Sequence, residues 1–155
     1  MPTKEDILPD QFKALHANFS VSPQISAADI AAAAAAGYTL IVNNRPDGEM
    51  IGQPKSAELE AAARASGLAY IHIPVDGRGI SMDHISALKK ALDEAGGKTL
   101  ALCRSGTRST ILESYRGAFE GRGADELIAE AAAAGYDISS HRPALDALKA
   151  GHQED

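Results

Sequence analysis

The sequence predicts a single α/β domain with a mostly parallel sheet of four to five strands and helices on both faces. Three apolar runs of strand length, at residues 38–42, 68–73 and 98–102, alternate with helical segments that end at glycines. Such alternation requires right-handed crossovers, which place the strands in parallel and cover both faces of the sheet. A chain of 155 residues has the length of one domain with its own core.

The chain before the first buried strand gives weaker signals. Residues 1–17 mix charged and apolar positions without a firm period, so they are predicted to be an extended or partly helical lead-in. Alternation over residues 18–22 predicts an edge strand. The α/β domain is therefore predicted to span residues 18–150, followed by a loose tail at 151–155.

Serine caps and glycine stops mark the helices between the strands. Ser26 followed by Asp29 is a capping box that opens a helix through an alanine tract. A glycine after each periodic segment supplies the left-handed residue that commonly ends a helix. The helices before the last strand are predicted to begin after Ser26, Ser56 and Ser81 and to end near Gly37, Gly67 and Gly96. Later helices are predicted from Thr107 to about Phe119, from Ala124 to about Ala134, and from near Pro143.

The segment from Leu100 to Thr110 concentrates the reactive side chains. Cys103, the single cysteine of the sequence, lies where an apolar run ends and the next helix begins. Free backbone N–H groups and the helix dipole at such a point favour an anion, either a cysteine thiolate or a bound oxyanion. A buried cysteine acting as a small hydrophobe is the alternative, but polar residues follow Cys103 where a core position would have apolar ones. We therefore interpret Cys103 as a nucleophile.

The other residues of this loop are predicted to hold an anion beside Cys103. Gly106 lets the backbone curl so that its N–H groups point inward. Arg108 carries a planar fork that can bind two oxygen atoms of an oxyanion. Arg104 adds positive charge next to the cysteine, with its side chain expected to point outward. The predicted anion-binding residues of the loop are Arg104, Ser105, Gly106 and Thr107, together with Arg108.

Composition and charge argue against several other functions. The net charge of −6 disfavours a nucleic-acid binder, which would need clustered Lys and Arg. One cysteine cannot form an internal disulfide, which favours the reducing cytoplasm. No apolar stretch approaches the roughly 20 residues that span a bilayer, so no membrane partner is expected. The histidines are scattered without metal-binding spacing and no glycine-rich nucleotide loop occurs, so neither a metal nor a cofactor is expected.

The segment from Cys103 to Ser109 resembles the signature loop shared by tyrosine and dual-specificity phosphatases and by rhodanese sulfurtransferases. More specifically, the chain resembles the bacterial family of the beta-lactamase hydrolase-like protein, phosphatase-like domain. The matching segments are residues 21–26, 42–49, 72–75 and 103–109. The resemblance implies a fold like that of the dual-specificity and tyrosine phosphatases.

The resemblance also implies roles for residues outside the centre of the loop. Asp76 takes the place of the acid that protonates the leaving group, although an aspartate beside a glycine is also an ordinary turn residue. Ser109 takes the place of the hydroxyl residue that helps to stabilise the thiolate, or it is a serine in the first turn of a helix. Arg45, in a family-like stretch with Asp47 and Glu49, is expected to bind the anion unless this stretch is only a turn.

Two features of the loop separate the reactions that the resemblance allows. Four residues lie between Cys103 and Arg108, which is the rhodanese spacing, whereas tyrosine phosphatases have five. Leu102 stands where the phosphatases have a histidine. We therefore predict a rhodanese-type sulfurtransferase that carries sulfane sulfur as a Cys103 persulfide, acting on a small oxyanion or sulfur donor. The alternatives are a phosphatase that forms a Cys103 phosphocysteine from a phosphorylated substrate, and a non-catalytic module that binds an oxyanion or a partner.

Overall fold

The computed structural model describes residues 10–154, which form one five-stranded sheet and six α-helices. The strands are β1 (Lys13–His16), β2 (Phe19–Ser22), β3 (Tyr38–Asn43), β4 (Ala69–His72) and β5 (Lys98–Leu102). The helices are α1 (Ala27–Ala35), α2 (Ser56–Ala65), α3 (Met82–Ala95), α4 (Thr107–Phe119), α5 (Ala124–Ala133) and α6 (Arg142–Glu154), the last after a 3₁₀ turn (Ser139–His141). Over residues 10–154, no helix is both long and apolar enough to cross a membrane, and no group of three or more His, Cys, Asp or Glu side chains is placed to hold a metal ion.

The strands pair in the order β1-β2-β5-β3-β4, with β1 antiparallel to β2 and the other pairs parallel. The predicted mostly parallel sheet of four to five strands is confirmed. Because β5 lies at the centre, the carboxyl ends of β2 and β3 flank its own carboxyl end. The loops after these parallel strands therefore meet at one edge of the sheet, with Cys103 in the middle.

Helices cover both faces of the sheet, as the sequence predicts. On one face, Ile30 of α1 and Leu59 of α2 belong to one buried cluster with residues of β3 and β5. On the other face, Ile85 of α3 and Leu112 of α4 belong to a second cluster. Burial stabilises each such side chain by about 1.5–3 kcal/mol relative to exposure. Helices α5 and α6 pack on α4 through a third buried cluster that includes Leu127. This packing brings the segment that connects α5 to α6 close to the cysteine loop.

Two of the three predicted serine caps are confirmed and the third is wrong. Ser26 and Ser81 each close a capping box where α1 and α3 begin. Ser56 is instead the first residue of α2, and its Oγ lies 2.7 Å from the Tyr70 hydroxyl. At the N-terminus of α2, the Ser56 N–H instead donates to Oδ1 of Asp47 in the preceding loop at 2.8 Å. The carboxylate suits this position because it faces the positive end of the helix dipole.

Both ends of the chain carry regular elements outside the predicted domain bounds of 18–150. Residues 13–16, placed in the lead-in, form strand β1, which adds Leu15 to the core and joins His16 Nε2 to the buried Glu113 carboxylate at 2.7 Å. Residues 151–154, placed in the loose tail, continue α6, because each residue added to an existing helix gains a further backbone hydrogen bond. Residues 1–9 of the predicted lead-in and Asp155 lie outside the described residues.

Candidate active site

Cys103 follows β5 directly and is fully buried at the carboxyl edge of the sheet. Its backbone N–H donates to Ser22 O at the end of β2 at 3.3 Å, and the Asn44 N–H donates to Leu102 O at 2.7 Å on the β3 side. Helix α4 begins at Thr107, so the predicted strand–loop–helix arrangement is confirmed. The cysteine is thereby held between the ends of two neighbouring strands.

The loop after Cys103 turns a backbone N–H toward the sulfur. The Gly106 nitrogen donates to Cys103 Sγ at an N···S distance of 3.0 Å. Gly106 precedes α4 with a φ of +95°, a left-handed conformation that glycine adopts without steric cost. The positive end of the α4 dipole reinforces the hydrogen bond, and together they stabilise an anion at this position. This is the arrangement that a thiolate nucleophile requires.

Arg108 directs its planar guanidinium at a carboxylate. Its Nη1 and Nη2 donate to the two Glu49 oxygens at 2.7 and 3.0 Å, and Nη1 also donates to Val75 O at 2.7 Å. The hydrogen bonds from Arg108 hold the pKa of Glu49 below its usual range, so this carboxylate is charged at neutral pH. Glu49 thus occupies the fork that the sequence assigns to an oxyanion. A bound oxyanion must displace Glu49 or share Arg108 with it.

Arg45, expected to bind the anion, lies behind Glu49 instead. Its side chain is only 5% exposed and donates to Glu49 Oε1 at 2.9 Å and to Gln24 Oε1 at 3.0 Å. His72 Nε2 lies 2.8 Å from the Arg45 carbonyl oxygen, so this histidine has a structural role. Arg45 therefore helps to hold the Glu49 carboxylate to which Arg108 donates. Sequence reasoning missed the contact between Glu49 and Arg108, because 59 positions separate these two residues.

Asp76 borders the site as a charged turn residue. Its Oδ1 accepts from the Arg78 backbone N–H and its Oδ2 from Arg78 Nη2, both at 2.9 Å. Hydrogen bonding to Arg78 lowers the pKa of Asp76, whereas a proton donor at neutral pH requires a raised one. This geometry fits the turn interpretation better than the acid that the resemblance implies. Asp76 and Arg108 also border a cavity of about 140 Å³. The other residues that line this cavity include Ile111 and His141.

The hydroxyl groups near the cysteine are engaged with other partners. Ser109 donates its hydroxyl proton to Asn44 Oδ1 at 2.8 Å, in a buried contact that ties α4 to the loop after β3. That proton is therefore directed away from the thiolate, and the role that the resemblance implies for Ser109 does not match this geometry. Ser105 Oγ donates to Thr107 Oγ1 at 3.0 Å on the exposed side of the loop.

Two longer side chains flank the loop. Arg104 is exposed, in agreement with its predicted outward orientation. Tyr136, in the turn after α5, donates its hydroxyl to Ser105 O at 3.0 Å. Sequence reasoning missed Tyr136, because it lies 31 positions from Ser105 and outside every motif of the chain.

The sequence model of the family described as beta-lactamase hydrolase-like protein, phosphatase-like domain matches residues 11–119. That span runs from β1 to the end of α4 and includes the whole cysteine loop. The chain belongs to this family. Within it, the beta-lactamase hydrolase-like protein of Xylella fastidiosa is 41% identical over 103 residues, which cover 66% of this chain and 24% of that relative. The chain thus spans about a quarter of the length of the curated relatives that it matches.

Solved structures that share the fold of this phosphatase-like domain include proteins described as phosphatases. A candidate phosphatase of Neisseria meningitidis has a TM-score of 0.80 at 33% identity, over 90% of this chain and 99% of that one. A mouse candidate dual specificity phosphatase, solved with zinc tungstate, has a TM-score of 0.65 at 21% identity, over 96% of this chain and 92% of that one. At this identity the similarity shows a shared fold only. The fold that the resemblance implies is thus confirmed. Family membership and the hydrogen-bonded Cys103 together indicate an enzyme with cysteine-dependent chemistry.

Proposed function

We propose that Cys103 is the nucleophile of a sulfurtransferase that carries sulfane sulfur as a persulfide. First, the Cys103 thiolate attacks the outer sulfur of a donor such as thiosulfate; a new S–S bond forms, the old S–S bond breaks, and sulfite leaves with its electron pair. An acceptor thiolate then attacks the outer sulfur of the persulfide and regenerates the Cys103 thiolate. Atoms and charge balance in both steps, and neither step consumes a proton.

The observation that carries this proposal is the ion pair between Asp76 and Arg78 at the edge of the site. Asp76 is an exposed carboxylate that is ionised at neutral pH, and its hydrogen bonds to Arg78 lower its pKa further, so in this arrangement it has no proton to give. A phosphomonoester with a poor leaving group depends on such a proton donor. Sulfite, in contrast, departs as a stable anion. The site therefore supports the reaction that needs only a thiolate and an anion-binding arginine.

The length of the loop supports the same proposal. Four residues separate Cys103 from Arg108, one fewer than in the tyrosine phosphatases that the chain resembles. The Cys103 sulfur lies 3.0 Å from the Gly106 nitrogen, and Cys103 has no solvent-exposed surface. A short loop around a buried sulfur favours the addition of a single sulfur atom over that of a tetrahedral phosphoryl group. The Arg108 fork would bind the oxyanion end of the donor once this displaces Glu49.

The chemistry also suggests the partner molecules and the compartment. The donor would be a small molecule with an oxyanion end, and the acceptor would be a thiol. The net charge of −6 disfavours binding to the negatively charged phosphates of nucleic acid. A single cysteine that alternates between thiolate and persulfide suits a reducing compartment, and we place the activity in the cytoplasm.

Phosphatase activity is the second candidate, and the comparisons favour it. The family is described as phosphatase-like, and the Neisseria meningitidis structure, which is 33% identical, is described as a candidate phosphatase. In this reaction Cys103 would attack phosphorus, the P–O bond would break, and the leaving alkoxide would take a proton from Asp76. Water would then hydrolyse the phosphocysteine. Asp76 would first have to leave Arg78 and gain that proton.

The Asp76→Asn variant separates these two reactions. In a sulfurtransferase the variant is expected to load sulfur from thiosulfate at a rate within about 2-fold of wild type, because no proton is transferred. In a phosphatase it is expected to lose about 10²–10⁴-fold on a phosphomonoester with a poor leaving group. Sulfur loading followed by mass spectrometry and phosphate release are measured on the same preparations.

Arg78→Gln is the matched control for this variant. It removes the ion pair but keeps the Asp76 carboxylate, so it reveals any loss that comes from loosening the turn alone. A large loss of phosphate release confined to Asp76→Asn, with no persulfide on the wild-type protein, would contradict the proposed sulfurtransferase. Oxyanion binding without turnover of either substrate would point to the non-catalytic module.

A further inference from the structure

Tyr136 connects the C-terminal helices to the cysteine loop. It lies in the turn after α5, beyond residue 119 where the family match ends. Its own backbone N–H donates to Ala131 O at 2.9 Å, which fixes the turn to the end of α5. Its ring packs against the clusters on the α4 face of the sheet. The side chain is therefore held from both sides, with its hydroxyl at the loop.

One peptide group joins Tyr136 to the sulfur. The Tyr136 hydroxyl donates to Ser105 O at 3.0 Å, and the Gly106 N–H donates to Cys103 Sγ at 3.0 Å. This carbonyl and this N–H belong to the same peptide bond. Because a trans peptide is planar, with its C=O and N–H pointing in opposite directions, holding the oxygen also aims the hydrogen. Rotation of this peptide would break both hydrogen bonds together.

Packing against Gly106 also restricts the peptide. A Cβ at position 106 would overlap the Tyr136 hydroxyl, so the tyrosine lies directly against the glycine backbone. Burial raises the pKa of Tyr136, and the charge on Cys103 raises it further. The hydroxyl therefore keeps its proton and remains a donor across the neutral range.

We propose that Tyr136 is a positioning residue, whose hydroxyl orients the Ser105–Gly106 peptide so that its N–H stabilises the Cys103 thiolate. The inference rests on the proposed function in that Cys103 reacts as a thiolate, and it holds for either candidate reaction. The helical segment from α5 to α6 then completes a site whose other parts lie within residues 11–119.

The test is the Tyr136→Phe variant, which removes the hydroxyl and keeps the ring. Its thiolate-to-thiol ratio near neutral pH is expected to fall about 3- to 10-fold, because the Gly106 N–H is no longer held on the sulfur. The ratio is read from thiolate ultraviolet absorbance, since the chain has a single cysteine, and the blank for each protein is the same protein with Cys103→Ser added, because tyrosine also absorbs. Sulfur loading from thiosulfate is expected to slow by at most the same factor, because its rate follows the fraction of Cys103 that is thiolate.

Tyr38→Phe is the matched control. Tyr38 is buried in the opposite cluster and also donates one hydrogen bond, to Ser20 Oγ at 2.8 Å. This variant is expected to lose comparable stability while its thiolate ratio stays at the wild-type value. A Tyr136→Phe thiolate ratio equal to wild type, or an equal fall of the thiolate ratio in both variants, would overturn the proposal. Each result compares a variant with wild type, so it decides the role of Tyr136 even if no persulfide forms; only the persulfide measurement decides the proposed function.

Discussion

Replacing Arg108 with lysine is expected to slow persulfide formation by about 100-fold, although the positive charge is retained. Arg108 makes three hydrogen bonds through two nitrogens, two to Glu49 and one to Val75 O. A lysine ammonium is a single charged point and cannot reproduce this planar fork or hold two oxyanion oxygens side by side. The rate of sulfur loading in a single turnover with thiosulfate measures the effect.

Arg104→Lys is the matched control for this substitution. Arg104 lies in the same loop but is exposed, so its variant is expected to remain within about 2-fold of wild type. If Arg108→Lys were as fast as Arg104→Lys, Arg108 would supply only charge, and the mechanism would lose its oxyanion-binding group.

Replacing Gly106 with alanine is expected to lower activity by about 100-fold or more, because the thiolate loses an oriented N–H donor. At a φ of +95° an alanine is strained, and its Cβ would also overlap the Tyr136 side chain. The peptide must move to relieve both conflicts, which takes the Gly106 N–H away from Cys103 Sγ. The free energy of unfolding is also expected to fall by roughly 1–2 kcal/mol from the backbone strain.

Gly37→Ala separates strain from chemistry. Gly37 has a φ of +94°, and the space around its missing Cβ is open within 4 Å. The control is therefore expected to lose similar stability in thermal unfolding and no activity. Equal activities in Gly37→Ala and Gly106→Ala would show that the thiolate does not depend on the Gly106 N–H.

The cysteine loop could be predicted because its signals are local. The apolar run, the glycine and the start of α4 lie between Leu100 and Thr110, a range over which strand, cap and turn rules operate. Strand β1 could not be predicted because polar and apolar residues do not alternate over Lys13–His16. In the structure these residues form a strand by pairing with β2. The cap of α2 was misassigned because Ser56 has the right residue type, while Asp47 reaches the helix from nine positions away.

The contacts that tune the site could not be predicted, because they join distant segments. The Glu49–Arg108 pair and the Ser105–Tyr136 hydrogen bond depend on which loops meet after the sheet has formed. Asp76 is a different case, since its partner Arg78 is two positions away. The residue type fits an acid and a turn equally well, and only the geometry of the turn shows that the carboxylate faces Arg78.

The intact mass of the protein after exposure to thiosulfate tests the central claim most directly. The wild-type chain is expected to gain the mass of one sulfur atom on Cys103 and to lose it again when a thiol acceptor is added, whereas Cys103→Ser gains nothing. Wild-type protein that stays unmodified by thiosulfate, but gains a phosphoryl group on Cys103 during turnover of an aryl phosphate, would contradict the account.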